Sequence, residues 1–205
     1  MIEVAPGLRY WSAPHPRSNG APDWPEEVGC VLYEAADALV LIDPLLPRVG
    51  EEAFLAELER DVARLARPVA VLLTAPWHAR DAPALAERFG TTVWANPAAH
   101  ARLPFETRAG PLPDGIETFS PRGVWEGDVA FYLRPHRALV VAEFLMGGDS
   151  GLHVCPSPAL EHRDAFAASL RTLRDRRIDH VLVGHGPPVL GDGDRRIDEA
   201  LRAFA

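Results

Sequence analysis

The stretch TAPWHARDA, residues 74–82, joins an apolar segment to a helical pattern. The apolar segment, PVAVLL at 68–73, is typical of a buried strand, and APALAERF at 82–89 has the spacing of an amphipathic helix. A histidine, an arginine and an aspartate therefore stand where a strand ends and a helix begins. Because open sheets bind their ligands in loops beyond the carboxyl ends of strands, this stretch predicts a functional loop in a layered α/β protein.

The rest of the chain alternates apolar runs with amphipathic segments in the same way. We predict a hairpin of 28–34 with 38–43, a helix at 51–65, a strand at 68–74, a helix at 81–89, a strand at 92–95, a hairpin of 129–133 with 138–142, a helix at 162–176, a strand at 181–183 and a helix at 194–204. Residues 145–160 are predicted to form a loop, and residues 96–120 show no clear period. With no repeat and no linker, residues 1–205 are predicted to form one α/β domain.

The overall composition argues against several classes of protein. Of the 205 residues, 47% are hydrophobic and 24% charged, and the formal net charge of -8 argues against nucleic acid or an anionic membrane as partner. No apolar run reaches the roughly 18 residues of a membrane span, and the N-terminus has no apolar signal region. Cys30 and Cys155 lie far apart and are predicted to be free thiols. We expect a cytoplasmic protein with a small-molecule substrate or ligand.

Polar side chains follow four of the apolar runs. ALVLI is followed by Asp43, PVAVLL by the loop that holds His78, ALVVA by Glu143, and VLVG by His185. If these strand ends converge, imidazoles and carboxylates meet in one cleft. That combination is the ligand set of zinc, and of non-haem iron in a facial arrangement.

The order of these segments resembles the metallo-β-lactamase superfamily, over roughly residues 28–190. The matching segments are ALVLIDPLLP at 38–47, PVAVLLTAPWHARDAPALAERFGTTVWA at 68–95, RALVVAEFL at 137–145 and VLVGHGPP at 181–188. The resemblance implies a four-layer αββα sandwich and a metal-dependent hydrolase. It also leaves a homodimer open, because members of the family often pair.

The chain departs from the family's HxHxDH motif in three of its four named positions. Pro76 stands at the first histidine, His78 matches the second, Arg80 replaces the aspartate and Asp81 replaces the last histidine. A further histidine of the family is lost elsewhere in the chain. The family's GHTPG-like stretch is matched by GVWEG, which has Val124 in the histidine's place.

The resemblance implies a reduced ligand set. Glu143 matches the bridging aspartate and is one methylene longer, while the final histidine is retained as His185. We predict that at most one ion is held, with His78, Asp81, Glu143 and His185 as ligands, and that it activates water. Arg80, Asp81 and His185 are the predicted catalytic residues, with Arg80 binding an anionic group or stabilising developing negative charge.

Three alternatives stay open at this point. Arg80 could pair with Asp81 and Glu143 by bidentate hydrogen bonds, which would balance the cleft without a metal and leave a protein that binds a small molecule or another protein. The ion could be iron rather than zinc, in an oxygenase on the same scaffold. Asp81 could serve only as the N-cap of the helix that follows it.

Several other residues are candidates for lesser roles. Asp43 is predicted to hold loops near the site, and Trp77 to pack beneath the motif loop. Asp149 and His153 are an alternative acid and histidine near the Glu143 strand. His15 belongs to an N-terminal segment that is either a flap bearing a replacement ligand or a surface loop. The chain has no GxSxG elbow, phosphate-binding glycine loop, CxxC pair or basic–aromatic stripe, so other common enzyme classes lack support.

Overall fold

The first of two large β-sheets is built from the N-terminal half of the chain. The computed structural model describes residues 1–16, 25–123, 125–155 and 163–204. Its first sheet has the strand order β1 Ile2–Ala5, β2 Leu8–Pro14, β3 Glu27–Glu34, β4 Leu39–Ile42, β5 Val69–Leu72, β6 Val93–Trp94 and β7 Thr107–Arg108. The strands pair antiparallel as far as β4 and parallel from β4 to β7. The predicted hairpin is therefore the β3–β4 pair.

Two helices cover the outer face of this sheet. They are α1 Glu51–Leu65, whose bounds agree with the predicted helix, and α2 Ala82–Arg88. Leu58 of α1 and Leu85 of α2 are buried against Leu41 and Val71 of the sheet. The apolar residues of each helix recur on one side because that side packs against the sheet.

The second sheet comes from the C-terminal half. Its order is β14 Val189–Leu190, β13 His180–Val183, β10 Ala138–Val141, β9 Ala130–Leu133 and β8 Ile116–Phe119. Strands β10 and β13 are parallel, and β9 is antiparallel to β10. The outer face is covered by α3 Arg163–Arg171, which continues as a 3-10 helix over Thr172–Arg176, and by α4 Gly193–Phe204.

The prediction of a loop over residues 145–160 is wrong for the described part of that segment. Residues Leu145–Gly148 and Gly151–Val154 form a separate antiparallel hairpin, β11 and β12. Leu145 and Val154 are buried in the core beneath α3 and α4, and this burial stabilises the hairpin. The glycine-rich LMGG sequence hid the alternation that marks a strand.

Alternate residues of the central strands face different layers. In β4, Leu39 and Leu41 lie in the core with the helices α1 and α2, whereas Val40 and Ile42 pack against the second sheet. In β10, residue Val140 packs toward the first sheet and its neighbours pack toward α3 and α4. Both faces of these strands are buried, which explains their continuous apolar runs. The four layers are helix, sheet, sheet and helix, as predicted.

The two sheets are joined at one edge by backbone hydrogen bonds. The Gly29 amide donates to the Gly184 carbonyl at 2.9 Å, and Val28 and His185 form an isolated bridge. This junction brings the segment after β13 against β3 and next to the end of β5. None of the helices in the described ranges combines the length and apolar character needed to cross a bilayer.

Candidate metal centre

Three buried side chains from separate segments meet at this edge. His78 ends the 3-10 helix Pro76–His78 after β5, Glu143 follows β10, and His185 follows β13. His78 Nε2 lies 2.9 Å from Glu143 Oε1, and His185 Nε2 lies 3.2 Å from the same oxygen. One ligand atom from each of the three lies within 4.8 Å of the others. The predicted convergence of these strand ends is therefore observed for His78, Glu143 and His185.

Asp43 orients the His78 ring. Its Oδ2 lies 2.8 Å from His78 Nδ1, and its Oδ1 accepts a hydrogen bond of 2.9 Å from the Thr74 amide. The Thr74 hydroxyl also donates to Asp43. Asp43 has a φ of 48°, in the left-handed region, so its backbone is strained where its side chain reaches the site. This contact leaves Nε2 of His78 as the nitrogen that faces Glu143.

The pKa values of His78 and Glu143 shift in opposite directions. Burial and the Arg80 charge lower the pKa of His78, but Asp43 and Glu143 outweigh them, so the net shift is upward. Burial raises the pKa of Glu143, but hydrogen bonds from His185 and His78 outweigh it and hold the pKa well below its usual range. Without a metal, these neighbouring carboxylates favour the protonated form of His78, whose two ring nitrogens face Asp43 and Glu143.

Trp77 supplies a further hydrogen bond to Glu143. Its indole Nε1 donates to Glu143 Oε1 at 2.8 Å, so this oxygen contacts three nitrogen donors. The Trp77 side chain is not packed beneath the loop as expected: the residue is 39% exposed and its ring lies edge-to-face with Trp125, with centroids 5.3 Å apart. Trp77 therefore presents a partly exposed aromatic ring beside Glu143. Its position inside the motif loop was the only signal for this role.

The glycines around His185 permit a close approach of backbone segments. A Cβ on Gly184 would lie 2.8 Å from the Ala142 carbonyl oxygen and 2.9 Å from Cε1 of His78. Gly186 has a φ of 78°, and a Cβ there would lie 2.1 Å from the Gly147 carbonyl oxygen. Any larger residue would push His78 or the β11 segment away.

Arg80 contacts carbonyl groups rather than carboxylates. Its Nη1 donates to the carbonyl oxygens of Gly29 at 2.7 Å and Asp43 at 2.8 Å. The bidentate pairing with Asp81 and Glu143 that the sequence suggested is not formed, because the guanidinium lies at the ends of β3 and β4. Arg80 also has a left-handed φ of 41°. Its Nε and Nη2 are buried and have no hydrogen-bond partner among the described residues.

Asp81 lies outside the group of three. Its Oδ2 accepts a hydrogen bond of 2.7 Å from the Leu46 amide. It occupies the N-cap position of α2, but its side chain makes no capping hydrogen bond there. The carboxylate therefore ties the loop after β4 to the motif loop, and the ligand role of Asp81 stays a prediction.

The remaining sequence candidates are dispersed. Asp149 is exposed in the turn between β11 and β12, and His153 is exposed on β12. His15 is half-buried, and its amide donates to the Glu26 carbonyl at 2.9 Å. Val124, in the place of the family's middle histidine, lies outside the described residues, as does most of the N-terminal segment that follows His15.

The sequence interpretation missed Asp128. This residue is buried, and burial together with the charge of Glu143 raises the pKa of its carboxyl group to about 8. We searched the sequence for polar residues that follow an apolar run, and Asp128 was not found because it precedes β9. Since β9 runs antiparallel to β10, however, its beginning lies at the same edge as the end of β10.

The residues present fit one divalent metal ion. Two imidazoles and a carboxylate suit zinc or non-haem iron. The contacts of 2.9 and 3.2 Å between His78, Glu143 and His185 are close to the roughly 3.4 Å that separates two ligand atoms on a tetrahedral ion. Glu143 Oε2 is buried and accepts no hydrogen bond from the described residues, so this carboxylate has a second oxygen for a ligand. The contact of His78 Nδ1 with Asp43 is the orienting contact that metal-binding histidines usually make.

Comparison with known proteins identifies the fold. No family model matches the chain, and no curated protein does. A metallo-β-lactamase family protein of Thermus thermophilus is 21% identical, with a TM-score of 0.61 over 98% of this chain and 80% of that chain. The DIM-1 metallo-β-lactamase is 16% identical, with a TM-score of 0.70 over 100% and 96% of the two chains. A metallo-β-lactamase from Pontibacter korlensis is 15% identical, with a TM-score of 0.70 over 99% and 97%. At these identities the likeness establishes the fold, and the prediction of a metallo-β-lactamase-like αββα sandwich is confirmed.

Proposed function

We propose that this metallo-β-lactamase-fold protein is a hydrolase that uses a single divalent metal ion, held by His78, Glu143 and His185. The observation that carries the proposal is the meeting of these three buried donors, from three separate segments, with ligand atoms within 4.8 Å of one another. Two imidazoles and one carboxylate leave a coordination position for water or substrate, as catalytic zinc sites do. The substrate is a small molecule with an ester, lactam or phosphoester bond.

The surrounding residues prepare this site before an ion arrives. Asp43 holds the His78 ring, and Trp77 holds the Glu143 carboxylate, each through one hydrogen bond of 2.8 Å. A bound divalent ion supplies Lewis acidity, which polarises a substrate oxygen and lowers the pKa of water toward about 7. An ion can bind His78 Nε2 only when this nitrogen carries no proton, so metal affinity should rise with pH.

Arg80 supplies a permanent positive charge beside this centre. Its charge acts on both Asp43 and His78. Because the guanidinium stands at the position of a ligand aspartate in the family motif, we propose that it replaces a second ion and stabilises negative charge that develops on the substrate.

Metal content tests the proposal directly. Protein purified without chelator is analysed for zinc, iron and manganese, beside His185→Ala and the control His153→Ala, which removes an exposed histidine outside the group. We expect about one ion per chain in the wild type and in the control, and little in His185→Ala. Hydrolysis of p-nitrophenyl acetate, nitrocefin and bis(p-nitrophenyl) phosphate is measured before and after removal of the ion by EDTA and its return.

One observation favours a second candidate, a metal-free protein that binds a small molecule or another protein. Glu143 Oε1 already contacts three nitrogen atoms, so hydrogen bonds within the protein engage this oxygen without an ion. This alternative predicts no bound ion, no rise in melting temperature on addition of zinc, and no hydrolysis of the three probes. That combination of results would overturn the hydrolase proposal. A coloured protein with oxygen-dependent turnover and stoichiometric iron would instead identify an iron oxygenase.

A further inference from the structure

The hydroxyl group of Tyr10 joins the first sheet to residues 183–186, the segment that carries His185. Tyr10 lies in β2, and only 4% of the residue is exposed. Its hydroxyl donates to the Val183 carbonyl oxygen at 3.2 Å and to the Gly186 carbonyl oxygen at 3.4 Å. Val183 and Gly186 are the two ends of this segment. One side chain therefore holds the segment on both sides of the proposed metal ligand His185.

Packing fixes the Tyr10 ring between the two sheets. The ring belongs to the buried cluster that includes Val31 of the first sheet and Val140 and Leu182 of the second. A tyrosine side chain turns about only two torsions, so a packed ring leaves its hydroxyl oxygen little freedom to move. A buried hydroxyl group also costs free energy when it has no acceptor. The hydroxyl is therefore a fixed point to which the 183–186 segment is bound.

Gly29 provides the space in which the Tyr10 hydroxyl meets this segment. A Cβ at position 29 would lie 2.3 Å from the Tyr10 hydroxyl oxygen and 2.1 Å from the Val183 carbonyl oxygen. Any larger residue would therefore push the hydroxyl and the carbonyl apart. The Gly29 amide also donates to the Gly184 carbonyl at 2.9 Å. The lack of a side chain at position 29 thus allows both β3 and Tyr10 to contact the segment.

The contacts of Tyr10 connect donors that come from different sheets. His78 follows β5 of the first sheet, whereas Glu143 and His185 follow β10 and β13 of the second. The second sheet holds the 183–186 segment through the Gly184 amide, which donates to the Val141 carbonyl at 2.8 Å. That bond does not fix the distance from the segment to the first sheet. The Tyr10 hydroxyl spans the two sheets, so it acts on this distance.

We propose that Tyr10 is a positioning residue that sets the distance of His185 from His78, and with it the geometry in which the two imidazoles hold the ion. The proposal rests on the proposed function, since it treats both histidines as ligands. Zinc–nitrogen bonds measure about 2.0–2.1 Å and tolerate deviations of only about 0.2 Å. A small shift of the 183–186 segment is therefore enough to weaken the centre. Tyr10 acts through the backbone of this segment and does not touch the ion.

Removal of the hydroxyl group tests this role against a matched control. Tyr10→Phe keeps the ring. Tyr132→Phe removes another buried hydroxyl that donates to two backbone carbonyls, those of Arg176 and Arg177, and Tyr132 lies in the core beneath α3 and α4. We expect both variants to lower the melting temperature by about 2–4 °C. Only Tyr10→Phe should weaken zinc binding, by about tenfold in competition with a chromophoric chelator.

Two spectroscopic measurements report the position of His185 directly. The visible absorption of the cobalt-loaded protein depends on ligand geometry, and we expect it to change in Tyr10→Phe but not in Tyr132→Phe. In the metal-free protein, the rings of His78 and His185 lie edge-to-face with centroids 5.7 Å apart. The nuclear Overhauser effect between their protons should be present in the wild type and in Tyr132→Phe, and weaker in Tyr10→Phe.

The possible results separate this proposal from the proposed function. Unchanged zinc affinity, cobalt spectrum and Overhauser effect in Tyr10→Phe would overturn the positioning role and leave the hydrolase proposal intact. An equal loss of zinc affinity in Tyr132→Phe would also overturn it, because the effect would then follow from stability alone. A wild type that binds no ion, with a ring contact that weakens in Tyr10→Phe, would overturn the metal-dependent function and support the positioning of His185 by Tyr10.

Discussion

The indole Nε1 of Trp77 donates a hydrogen bond of 2.8 Å to Oε1 of Glu143, and this bond links a partly exposed ring of the motif loop to a buried carboxylate. Trp77 is 39% exposed, whereas Glu143 is almost wholly buried. A ligand that contacts the indole ring is therefore one hydrogen bond away from the proposed metal ligand. The same relationship makes the position of Glu143 depend on a residue of the motif loop.

Removal of this hydrogen bond should weaken metal binding. Trp77→Phe keeps an aromatic ring but has no N–H group, so Glu143 loses one of the contacts that hold its carboxylate. We expect zinc affinity, measured by competition with a chromophoric chelator, to fall about tenfold. Trp125→Phe is the matched control, because it changes the neighbouring ring and leaves the Trp77 bond in place. An unchanged affinity in Trp77→Phe would contradict an orienting role for the indole.

Loss of Arg80 should destabilise the fold as well as the site. Arg80→Met removes the donor that serves the carbonyl oxygens of Gly29 and Asp43. We expect the free energy of unfolding, from urea titration, to fall by about 2 kcal/mol. Arg88→Met removes an exposed arginine paired with Glu59 and should cost less than about 1 kcal/mol. Similar values for the two variants would show that the Arg80 contacts do not stabilise the protein.

A methyl group at position 184 should displace the backbone next to His78 and so disrupt the site. In Gly184→Ala the new Cβ would meet the Ala142 carbonyl at 2.8 Å and the His78 ring at 2.9 Å. We expect a loss of about 1–3 kcal/mol in the free energy of unfolding, together with weaker zinc binding. Gly148→Ala is the control, since its Cβ would approach the exposed His153 side chain at 3.3 Å. A Gly184→Ala protein with normal stability and zinc affinity would mean that the backbone can move apart without cost.

The buried carboxyl group of Asp128 should make the metal-free protein less stable as pH rises. Its pKa is raised from 3.8 to about 8 in the folded state, so the folded chain holds a proton that the unfolded chain has lost. This contribution to stability is fully present below pH 3.8 and is lost as pH rises to about 8.

Asp128→Asn removes this titration and should be more stable than the wild type at neutral and alkaline pH. Between pH 5 and pH 7 the difference between the two proteins should grow by on the order of 1 kcal/mol per pH unit. Urea unfolding at several pH values in the presence of EDTA measures it. A difference that does not change with pH would mean that Asp128 titrates normally in the folded protein.

The strands and helices that could be predicted are those whose own residues show a clear pattern of apolar and polar positions. The helix α1 was predicted at its observed bounds because its apolar residues recur on one face over four turns. The hairpin β11–β12 was missed because its glycines leave no alternation to detect, and because its stability comes from contacts with α3 and α4. Likewise, the brief strands β7 and β8 lie in a segment where proline and glycine obscure any period.

Part of the candidate site could also be predicted from patterns among neighbouring residues. His78, Glu143 and His185 each follow an apolar run, so the sequence alone marked them as residues at the ends of strands. The sequence did not indicate that Trp77 bonds to Glu143, because an aromatic residue in a loop more often packs inward. Asp81 was grouped with the three by its place in the motif; its Oδ2 accepts a hydrogen bond from the Leu46 amide, and its role as a ligand stays a prediction.

By itself, the sequence determined the layered α/β architecture and the three donors of the proposed centre, since hydrophobic period and residues at strand ends are properties of neighbouring positions. Only the tertiary structure decided where the side chains of Arg80 and Asp128 lie. Arg80 lies against backbone carbonyls and not against the carboxylates, and Asp128 lies at the edge of the sheet where β10 ends because β9 and β10 run antiparallel. Both outcomes depend on which distant segments pair, and no local pattern in the chain specifies that pairing.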